Sequence, residues 1–308
     1  MEDEKPLISI GVPTYNRLKT LKEVMRCLLG QTYSNLEIIV SDNHSDDGTE
    51  LFLRNITQDN NRVKYIRHSY NRGAYLNFKS ALDSASSDIF MWFADDDICD
   101  SEYVEEIWKC YSSTTNTAIA FCGFDWLRED FSLISDYPKV FKLVNDDLFS
   151  SLYCYIQQGE EFGKANPIYG MMNKNTLLDA LSRIGNDIHV MGCDMLLVFE
   201  VLTKGKLAMC PKVLFHKFGS YSCAEARVTP SKLQMYKTFR KNWNDWNAYL
   251  SGYIHSINRT SLNSEEKIKL QFLVESRWKN KMAELYQSEG GRILPSIITR
   301  LVHRQNLK

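Results

Sequence analysis

Three consecutive carboxylates are the strongest chemical feature of this 308-residue sequence. Asp95, Asp96 and Asp97 follow the apolar run at residues 89–93, which has the composition of a buried strand. Adjacent carboxylates at a strand end repel one another and lose hydration, which is costly without a cation. Mg²⁺ and Mn²⁺ prefer oxygen ligands of this kind and are commonly held by one or two carboxylates together with substrate phosphates. The triad therefore predicts a Mg²⁺ or Mn²⁺ site, and a solvated acidic turn is the alternative.

Three further polar clusters lie next to predicted strands, at residues 13–17, 41–49 and 71–73. The first offers hydroxyl, amide and guanidinium groups after a proline-fixed turn, and these could hold a phosphate or a base edge. In the second, Asp42 is the candidate acceptor for a nucleotide, while Asp46 or Asp47 is expected to cap the next helix. In the third, glycine permits close approach of the backbone to a ligand. Ordinary turns and caps are the alternative for each cluster.

The elements that position these clusters alternate between strand and helix along the first 125 residues. The predicted strands are residues 7–12, 36–40, 63–66, 89–93 and 118–122, and the predicted helices are residues 18–29, 49–56, 74–85 and 101–111. This order predicts a doubly wound, mostly parallel α/β sheet. Ligands bind such sheets beyond the carboxyl ends of the strands, which is where the polar clusters lie.

The pattern is less regular up to about residue 225 and becomes helical after Pro230. Helical periodicity recurs at residues 146–157, 176–183 and 194–204, and a strand pattern covers residues 207–215. Two long helices are predicted at residues 231–255 and 264–287, and Asn263 with Glu266 forms a capping box for the second.

Composition excludes the collagen-like, low-complexity and disordered classes, because 44% of the residues are hydrophobic and only 15 are Gly and 7 are Pro. No apolar run reaches the roughly 20 residues that span a bilayer, and the charged first residues do not resemble a signal peptide. The eight cysteines include no Cys-x-x-Cys pair. We therefore expect reduced thiols in a cytoplasmic protein.

The net charge of −1 conceals two halves of opposite sign. From Arg227 onward there are 15 basic and 6 acidic residues, against 22 and 32 in the remainder. This distribution predicts an anionic partner or surface for the basic segment, and a solvated helical face is the alternative. Residues 292–304 combine an apolar helical face with flanking arginines, the layout of a helix lying on an anionic membrane. Packing of this helix on the protein explains the pattern equally well.

Three of these segments together resemble the family 2 glycosyltransferases: residues 8–17, 31–42 and 93–97. The resemblance is dense over the first 110 or so residues and continues more thinly to about residue 225. It implies a GT-A fold at residues 1–225, with a nucleotide-binding half (1–110) and an acceptor half (111–225). The basic helical extension at residues 226–308 lies outside the resemblance.

The implied activity is an inverting, metal-dependent transfer from a nucleotide diphosphate sugar, with UDP as the expected nucleotide. The acceptor would be a hydroxyl of a glycan or lipid-linked glycan, as in bacterial surface polysaccharide synthesis. No nucleic acid partner is expected. A cytoplasmic enzyme with peripheral contact at the inner face of the membrane, through residues 292–304, would fit such an acceptor.

The resemblance also implies roles for individual residues of the nucleotide half. Asp42 would accept a hydrogen bond from the base, and Asp97 with Asp95 would hold the metal that bridges the diphosphate. The residues implied to bind the nucleotide sugar are Pro13, Thr14, Tyr15, Arg17, Asp42, Asn71, Gly73, Asp95 and Asp96.

In the acceptor half, Asp194 matches the family's catalytic base, although Cys193 replaces the usual preceding glutamate. A helix cap is the alternative role for Asp194, and Asp187 is the reserve base. Tyr169 and Gly170 belong to the segment that ends the donor-sugar pocket, where Asn173 or Lys174 replaces the usual arginine. His216 or Lys217, in a late basic loop, would reach the diphosphate, with an ordinary core or surface histidine as the alternative.

Two other classes remain open at the level of sequence. A sugar-1-phosphate nucleotidyltransferase also needs metal carboxylates beside a nucleotide, but residues 11–16 lack its glycine-rich phosphate loop. A non-catalytic partner subunit of the same fold would have no need of the intact triad or of Asp194.

Overall fold

The computed structural model describes residues 5–127, 133–136, 147–159, 163–185, 192–218 and 232–288. The strands are β1 Ile8–Thr14, β2 Leu36–Asp42, β3 Val63–Arg67, β4 Ile89–Trp92, β5 Ile98–Cys99, β6 Thr117–Leu127, β7 Leu133–Asp136, β8 Met171–Asn173 and β9 Lys206–Phe218. The helices are α1 Leu18–Leu29, α2 Thr49–Asp59, α3 Ala74–Asp83, α4 Tyr103–Ser113, α5 Leu148–Gln157, α6 Lys174–Ile184, α7 Cys193–Leu202, α8 Lys232–Arg259 and α9 Ser264–Ser288.

Nine strands of the described residues form one sheet, in the order β3-β2-β1-β4-β8-β6-β9-β5, with β7 paired to β6. The first four strands of this order are parallel, as the alternating sequence pattern predicts. Beyond β4 the sheet becomes mixed, because β8 is antiparallel to both of its neighbours while β6 and β9 are parallel. The doubly wound α/β architecture is confirmed, with an antiparallel insertion at its centre.

The core lies on both faces of the parallel strands. All seven residues of β1 and all seven of β2 are buried, which explains why both strands are mostly apolar. Helix α1 buries Leu21, Val24, Met25 and Leu28, a helical stripe that covers one face. Gly11 allows the strands and α3 to approach closely, since a Cβ there would lie 2.7 Å from the ring of Phe90. The carboxyl ends of β1 to β4 are thereby held in fixed positions.

The two long helices pair with each other and continue the core. Tyr249, Tyr253 and Ile257 of α8 are buried in the same hydrophobic cluster as the sheet. The capping box of α9 is confirmed, because Asn263 N donates to Glu266 Oε2 and Glu266 N donates to Asn263 Oδ1, both at 3.0 Å. Within the described ranges, no helix has the length and apolar character needed to cross a bilayer. The predicted membrane helix at 292–304 lies outside the described residues.

Candidate active site

The loops after β1 and β2 are joined to each other by hydrogen bonds. Asn16 has a left-handed backbone (φ +52°), donates from its N–H to Ser45 Oγ at 2.9 Å and accepts from Asp46 N at 2.9 Å. Asp47 accepts from Leu18 N at 2.8 Å and from Thr49 N at 3.1 Å, so one carboxylate serves the first turns of both α1 and α2. The predicted capping role is confirmed for Asp47. The role of Asn16 was not predicted.

Asp42 lies at the carboxyl end of β2, as predicted, and is fully buried. Its Oδ1 accepts from Ser45 N at 2.8 Å, and its Oδ2 accepts from the Tyr65 hydroxyl at 2.9 Å and Arg67 Nη1 at 3.0 Å. Burial, together with the hydrogen bond to Asp42, raises the pKa of Tyr65 to about 12. The predicted base acceptor is therefore already engaged by three protein donors.

The loop after β3 joins the same edge. Asn71 Oδ1 accepts from Asn43 Nδ2 at 2.7 Å and from Gly73 N at 2.9 Å. Gly73 has φ +84°, and a Cβ there would meet no atom within 4 Å. Asn77 of α3 donates to Thr14 O at 3.2 Å. Glycine is thus needed for its backbone conformation, and the space beside it is open to a ligand.

Pro13 and Thr14 lie within β1 rather than after it, because β1 continues in register with β2 as far as Thr14. Tyr15 follows with 45% of its surface exposed. The guanidinium of Arg17 contacts Asp96 and lies 3.4 Å from Asp95 Oδ1. Burial raises the pKa of Asp95 to about 6, which Arg17 partly offsets.

Asp97 is the most deeply buried member of the triad, at 2% exposure. Its Oδ2 accepts from Lys217 Nζ at 3.0 Å and its Oδ1 from Phe218 N at 3.3 Å. Burial raises the pKa of Asp97, and the ammonium of Lys217 opposes the shift. The pairing follows from strand register, since Ile98 is opposite His216 in the antiparallel β5–β9 pair and Asp97 is therefore opposite Lys217.

The triad suits a hard divalent ion by the chemistry of its donors. Carboxylate oxygens are the ligands Mg²⁺ and Mn²⁺ prefer, and burial leaves the charges of Asp95 and Asp97 undercompensated, as their raised pKa values indicate. Among the residues that the structure describes, no group of three or more His, Cys, Asp or Glu side chains is arranged so that it could hold a metal ion. The fit to an ion rests on the donor chemistry of Asp95 and Asp97, since such ions are commonly held by one or two carboxylates together with substrate phosphates.

Asp194 lies in the first turn of α7 and accepts from Met195 N at 2.8 Å through Oδ1. The N-cap of α7 is Gly192, without a side-chain cap, so Asp194 is not the cap residue. A carboxylate in the first turn is favoured by the helix dipole. The reserve base, Asp187, lies outside the described residues.

Tyr169 is a buried side chain whose pKa is influenced by both predicted groups of carboxylates. Burial raises its pKa far above the ordinary value, and the charges of four carboxylates add to the shift: Asp97, Asp96, Asp194 and Asp95. The ring stacks on Phe215 with centroids 5.6 Å apart, and Lys217 Nζ lies 4.9 Å from its centroid. The charges of the triad and of the predicted base thus act on one side chain, although nearly 100 residues separate them in sequence.

Gly170 is required by packing, because a Cβ there would lie 2.6 Å from Ala120 O. Asn173 and Lys174, predicted at the sugar pocket, both form hydrogen bonds with backbone groups. Asn173 caps α6 by accepting from Asn175 N and Thr176 N, and Lys174 Nζ donates to Ala85 O.

His216 and Lys217, adjacent on β9, point to opposite faces as strand neighbours do. Lys217 reaches the triad, whereas His216 Nδ1 lies 2.7 Å from Asp125 Oδ1 and its Nε2 lies 3.3 Å from Asp100 Oδ1. These two carboxylates were not predicted. The β6–β9 register, which pairs Asp125 with His216, brings the first of them into place.

Comparison with known proteins identifies the family and the fold of the chain. A family model described as "Glycosyl transferase family 2" matches residues 9–165. The chain is 39% identical over 93 residues to the GalNAc(5)-diNAcBac-PP-undecaprenol beta-1,3-glucosyltransferase of Campylobacter jejuni, over 30% of each chain. It is 38% identical over 95 residues to the abequosyltransferase RfbV of Salmonella typhimurium, over 30% of this chain and 28% of that one. The aligned region thus spans less than a third of either relative.

Solved structures share the fold at low sequence identity. TarS residues 1–349 of S. aureus superposes with a TM-score of 0.62 at 15% identity, over 88% of this chain and 71% of that one. Mannosyltransferase PcManGT from Pyrobaculum calidifontis, in complex with GDP-Man and Mn²⁺, superposes with a TM-score of 0.55 at 15% identity, over 99% and 81%. The chain belongs to the family 2 glycosyltransferases and has the GT-A fold.

Proposed function

We propose that this protein transfers a sugar from a UDP-linked donor to a hydroxyl of a glycan or lipid-linked glycan, with inversion at the anomeric carbon. The observation that carries the proposal is the position of Lys217, which lies 3.0 Å from Asp97 Oδ2 and 4.9 Å from the ring centroid of Tyr169. The turn Asn166–Tyr169 packs in turn against α7, the helix that carries Asp194. A leaving diphosphate needs positive charge, and an attacking hydroxyl needs a base. The triad, with the ion that it would hold, would meet the first requirement and Asp194 the second.

The donor would bind across the joined loops after β1, β2 and β3. The exposed ring of Tyr15 offers a flat face to a base, and Arg17, half exposed, offers positive charge to the diphosphate. Gly73 leaves open space, and Asn71 orders the loop beside it. UDP is supported by the structures of TarS in complex with UDP and with UDP-GlcNAc.

We assign metal binding to Asp97 and Asp95, with Asp96 adjacent, and Mn²⁺ or Mg²⁺ as the ion. When bound, such an ion would supply positive charge against the charge that develops on the leaving diphosphate. The complex of PcManGT with GDP-Man and Mn²⁺ supports this assignment. Arg17 and Lys217 contribute two further cations at the same carboxylates.

In the proposed reaction, Asp194 accepts the proton of the acceptor hydroxyl as the oxygen attacks the anomeric carbon. The bond between the anomeric carbon and the diphosphate oxygen breaks, and UDP leaves with the bonding electrons. One displacement of this kind inverts the configuration. The hydrogen bond from Met195 N to Oδ1 orients the Asp194 carboxylate and leaves Oδ2 to receive the proton.

The acceptor class is supported by the Campylobacter relative, which is named as a GalNAc(5)-diNAcBac-PP-undecaprenol beta-1,3-glucosyltransferase. We extend the proposal to bacterial polysaccharide synthesis and to peripheral contact with the inner face of the cell membrane through the basic segment at 292–304. Vesicles of anionic lipid should bind the whole chain in a salt-dependent manner. This binding should be lost in a variant in which Arg300 and Arg304 are both replaced by glutamine. Equal binding of both chains would contradict the membrane contact.

The experiment is a thermal-denaturation screen of UDP, GDP and dTDP, each with and without Mn²⁺. A ligand at 100 times its Kd stabilises the folded state by about 2.7 kcal/mol, so UDP with Mn²⁺ should raise Tm by several degrees. Asp97→Asn is the control that should abolish the Mn²⁺-dependent part of the shift. Absence of stabilisation by all three nucleotides would contradict the proposal. Release of UDP, and not of pyrophosphate, would distinguish the proposed activity from that of a nucleotidyltransferase.

A further inference from the structure

The turn of α7 that carries Asp194 is packed directly against α8. Gly192, two residues before Asp194, has φ +82°, and a Cβ there would lie 3.0 Å from Cε2 of Tyr249. Met195, the residue after Asp194, accepts from the Tyr249 hydroxyl through its Sδ at 3.7 Å. One tyrosine of the C-terminal extension therefore contacts the chain on both sides of the proposed base.

A second contact lies one helical turn further along α8. A Cβ at Gly252 would come within 2.4 Å of Cδ2 of Leu196, a side chain with 1% exposure that is enclosed by the core. The backbone of α8 thus approaches α7 more closely than any other residue type at position 252 would permit. Because Leu196 is enclosed and cannot move away, a residue larger than glycine at position 252 would displace α8 relative to α7.

The same turn is also contacted by α5. The Tyr155 hydroxyl lies 2.9 Å from Met195 O and 3.1 Å from Lys164 O. Aromatic rings continue from there to α8, since Tyr155 packs on Phe199 with centroids 5.9 Å apart and Phe199 packs on Tyr253 with centroids 4.5 Å apart. The first turn of α7 therefore contacts both α5 and α8.

We propose that α8 is a working part of the acceptor half, in which Tyr249 and Gly252 are positioning residues that set the direction of the Asp194 carboxylate. The inference rests on the proposed role of Asp194 as base. A base must lie within about 2.6–3.2 Å of the proton it accepts, and a displacement of about 1 Å can cost a hundredfold in rate. The helical extension, which the sequence pattern separates from the catalytic domain, thereby acquires a role in the reaction.

The test uses the whole chain with Tyr249→Phe, Gly252→Ala and the double variant Leu196→Ala/Gly252→Ala. Amide hydrogen exchange of residues 193–202 should rise about tenfold in Gly252→Ala, because the helix loses its fixed contact. The rise should shrink at least threefold in the double variant, in which the Leu196 methyl groups that meet the new Cβ are gone. The affinity for UDP with Mn²⁺ should stay within twofold throughout.

The kinetic readout is UDP release from UDP-glucose or UDP-GlcNAc, using whichever the wild type hydrolyses faster. Both single variants should lower kcat, about 3-fold for Tyr249→Phe and 10- to 100-fold for Gly252→Ala, with donor KM unchanged. Tyr33→Phe is the matched control, because its hydroxyl donates to Pro6 O at 2.6 Å and it lies away from α7. This control should leave kcat and the exchange of residues 193–202 as in the wild type.

Wild-type exchange of residues 193–202 in Gly252→Ala would overturn the proposal. Wild-type kcat in both single variants, together with an inactive Asp194→Asn, would also overturn it. That result would support Asp194 as the base and would exclude a positioning role for α8. A fully active Asp194→Asn would instead contradict the proposed function of Asp194, on which the inference depends. A fall in UDP affinity equal to the fall in kcat would indicate general loss of structure, and would also overturn the positioning role.

Discussion

The ammonium nitrogen of Lys217 lies 3.0 Å from Oδ2 of Asp97, a carboxylate with 2% of its surface exposed. The two residues lie 120 positions apart and meet because β5 and β9 pair in antiparallel register. A cation is therefore already placed at the carboxylate to which we assign the metal. It stabilises the buried charge before any ion or nucleotide arrives.

Replacing Lys217 by Met should leave the Asp97 charge unpaired. Removing one partner of a buried ion pair typically costs about 3–5 kcal/mol, and we expect a loss near 3 kcal/mol in the free energy of unfolding in EDTA. Much of this loss should return in millimolar Mn²⁺, because the ion pairs with the same carboxylate. Urea unfolding measures both, with Lys217→Arg as the charge-preserving control. A loss that is equal with and without Mn²⁺ would exclude a metal contact at Asp97.

The buried carboxyl of Asp95 should make the stability of the metal-free protein depend on pH. Burial raises its pKa to about 6, above the ordinary value of 3.8. Since the folded state then binds more protons than the unfolded state between these values, the contribution of Asp95 to stability falls as pH rises through about 6. Asp95→Asn, which resembles the protonated carboxyl, should therefore gain about 1–3 kcal/mol at pH 7.5 and only about a third of that at pH 4.5.

Urea unfolding in EDTA at the two pH values measures this difference. Asp88→Asn is the control, because Asp88 is exposed and its side chain lies outside the site. The same gain at both pH values, or a loss at pH 7.5, would show that the ionised Asp95 is not penalised by burial.

Replacing Asp47 should lower stability by an unusually large amount for a capping residue, because its carboxylate accepts hydrogen bonds from two helices. Asp47→Ala removes the acceptor for Leu18 N in α1 and for Thr49 N in α2. Each lost cap costs about 0.5–2 kcal/mol, so for two caps we expect a loss of about 1–4 kcal/mol and weaker UDP binding at the adjoining loops. Asp46→Ala, in the neighbouring exposed position, should change the free energy of unfolding by under about 0.5 kcal/mol. Equal effects of the two substitutions would remove Asp47 from this role.

The parallel half of the fold could be predicted from the sequence because its signals are local. Strands β1 and β2 are short and mostly apolar, and α1 shows a helical stripe between them. The carboxyl ends of parallel strands share one edge, so the meeting of the loops after β1 and β2 followed from the order of elements alone. The α9 capping box likewise needs only residues three positions apart.

The rest depends on contacts between distant segments. Strands β5 and β8 have two and three residues, too few for any periodicity, and exist because β9 and β4 pair with them. The same register decides that Lys217, not His216, reaches Asp97. The packing of α8 on α7 depends on the absence of a side chain at Gly252. In the sequence, this glycine indicates only a position of low helix propensity.

The most direct test of the account is UDP release from UDP-glucose and UDP-GlcNAc in Mn²⁺, measured for the wild type, Asp97→Asn and Asp194→Asn with UDP affinity determined in parallel. We expect the wild type to release UDP, Asp97→Asn to lose Mn²⁺-dependent UDP binding, and Asp194→Asn to bind UDP normally while its release rate falls at least about 100-fold. Undiminished release by Asp194→Asn, or wild-type binding and release by Asp97→Asn, would contradict it.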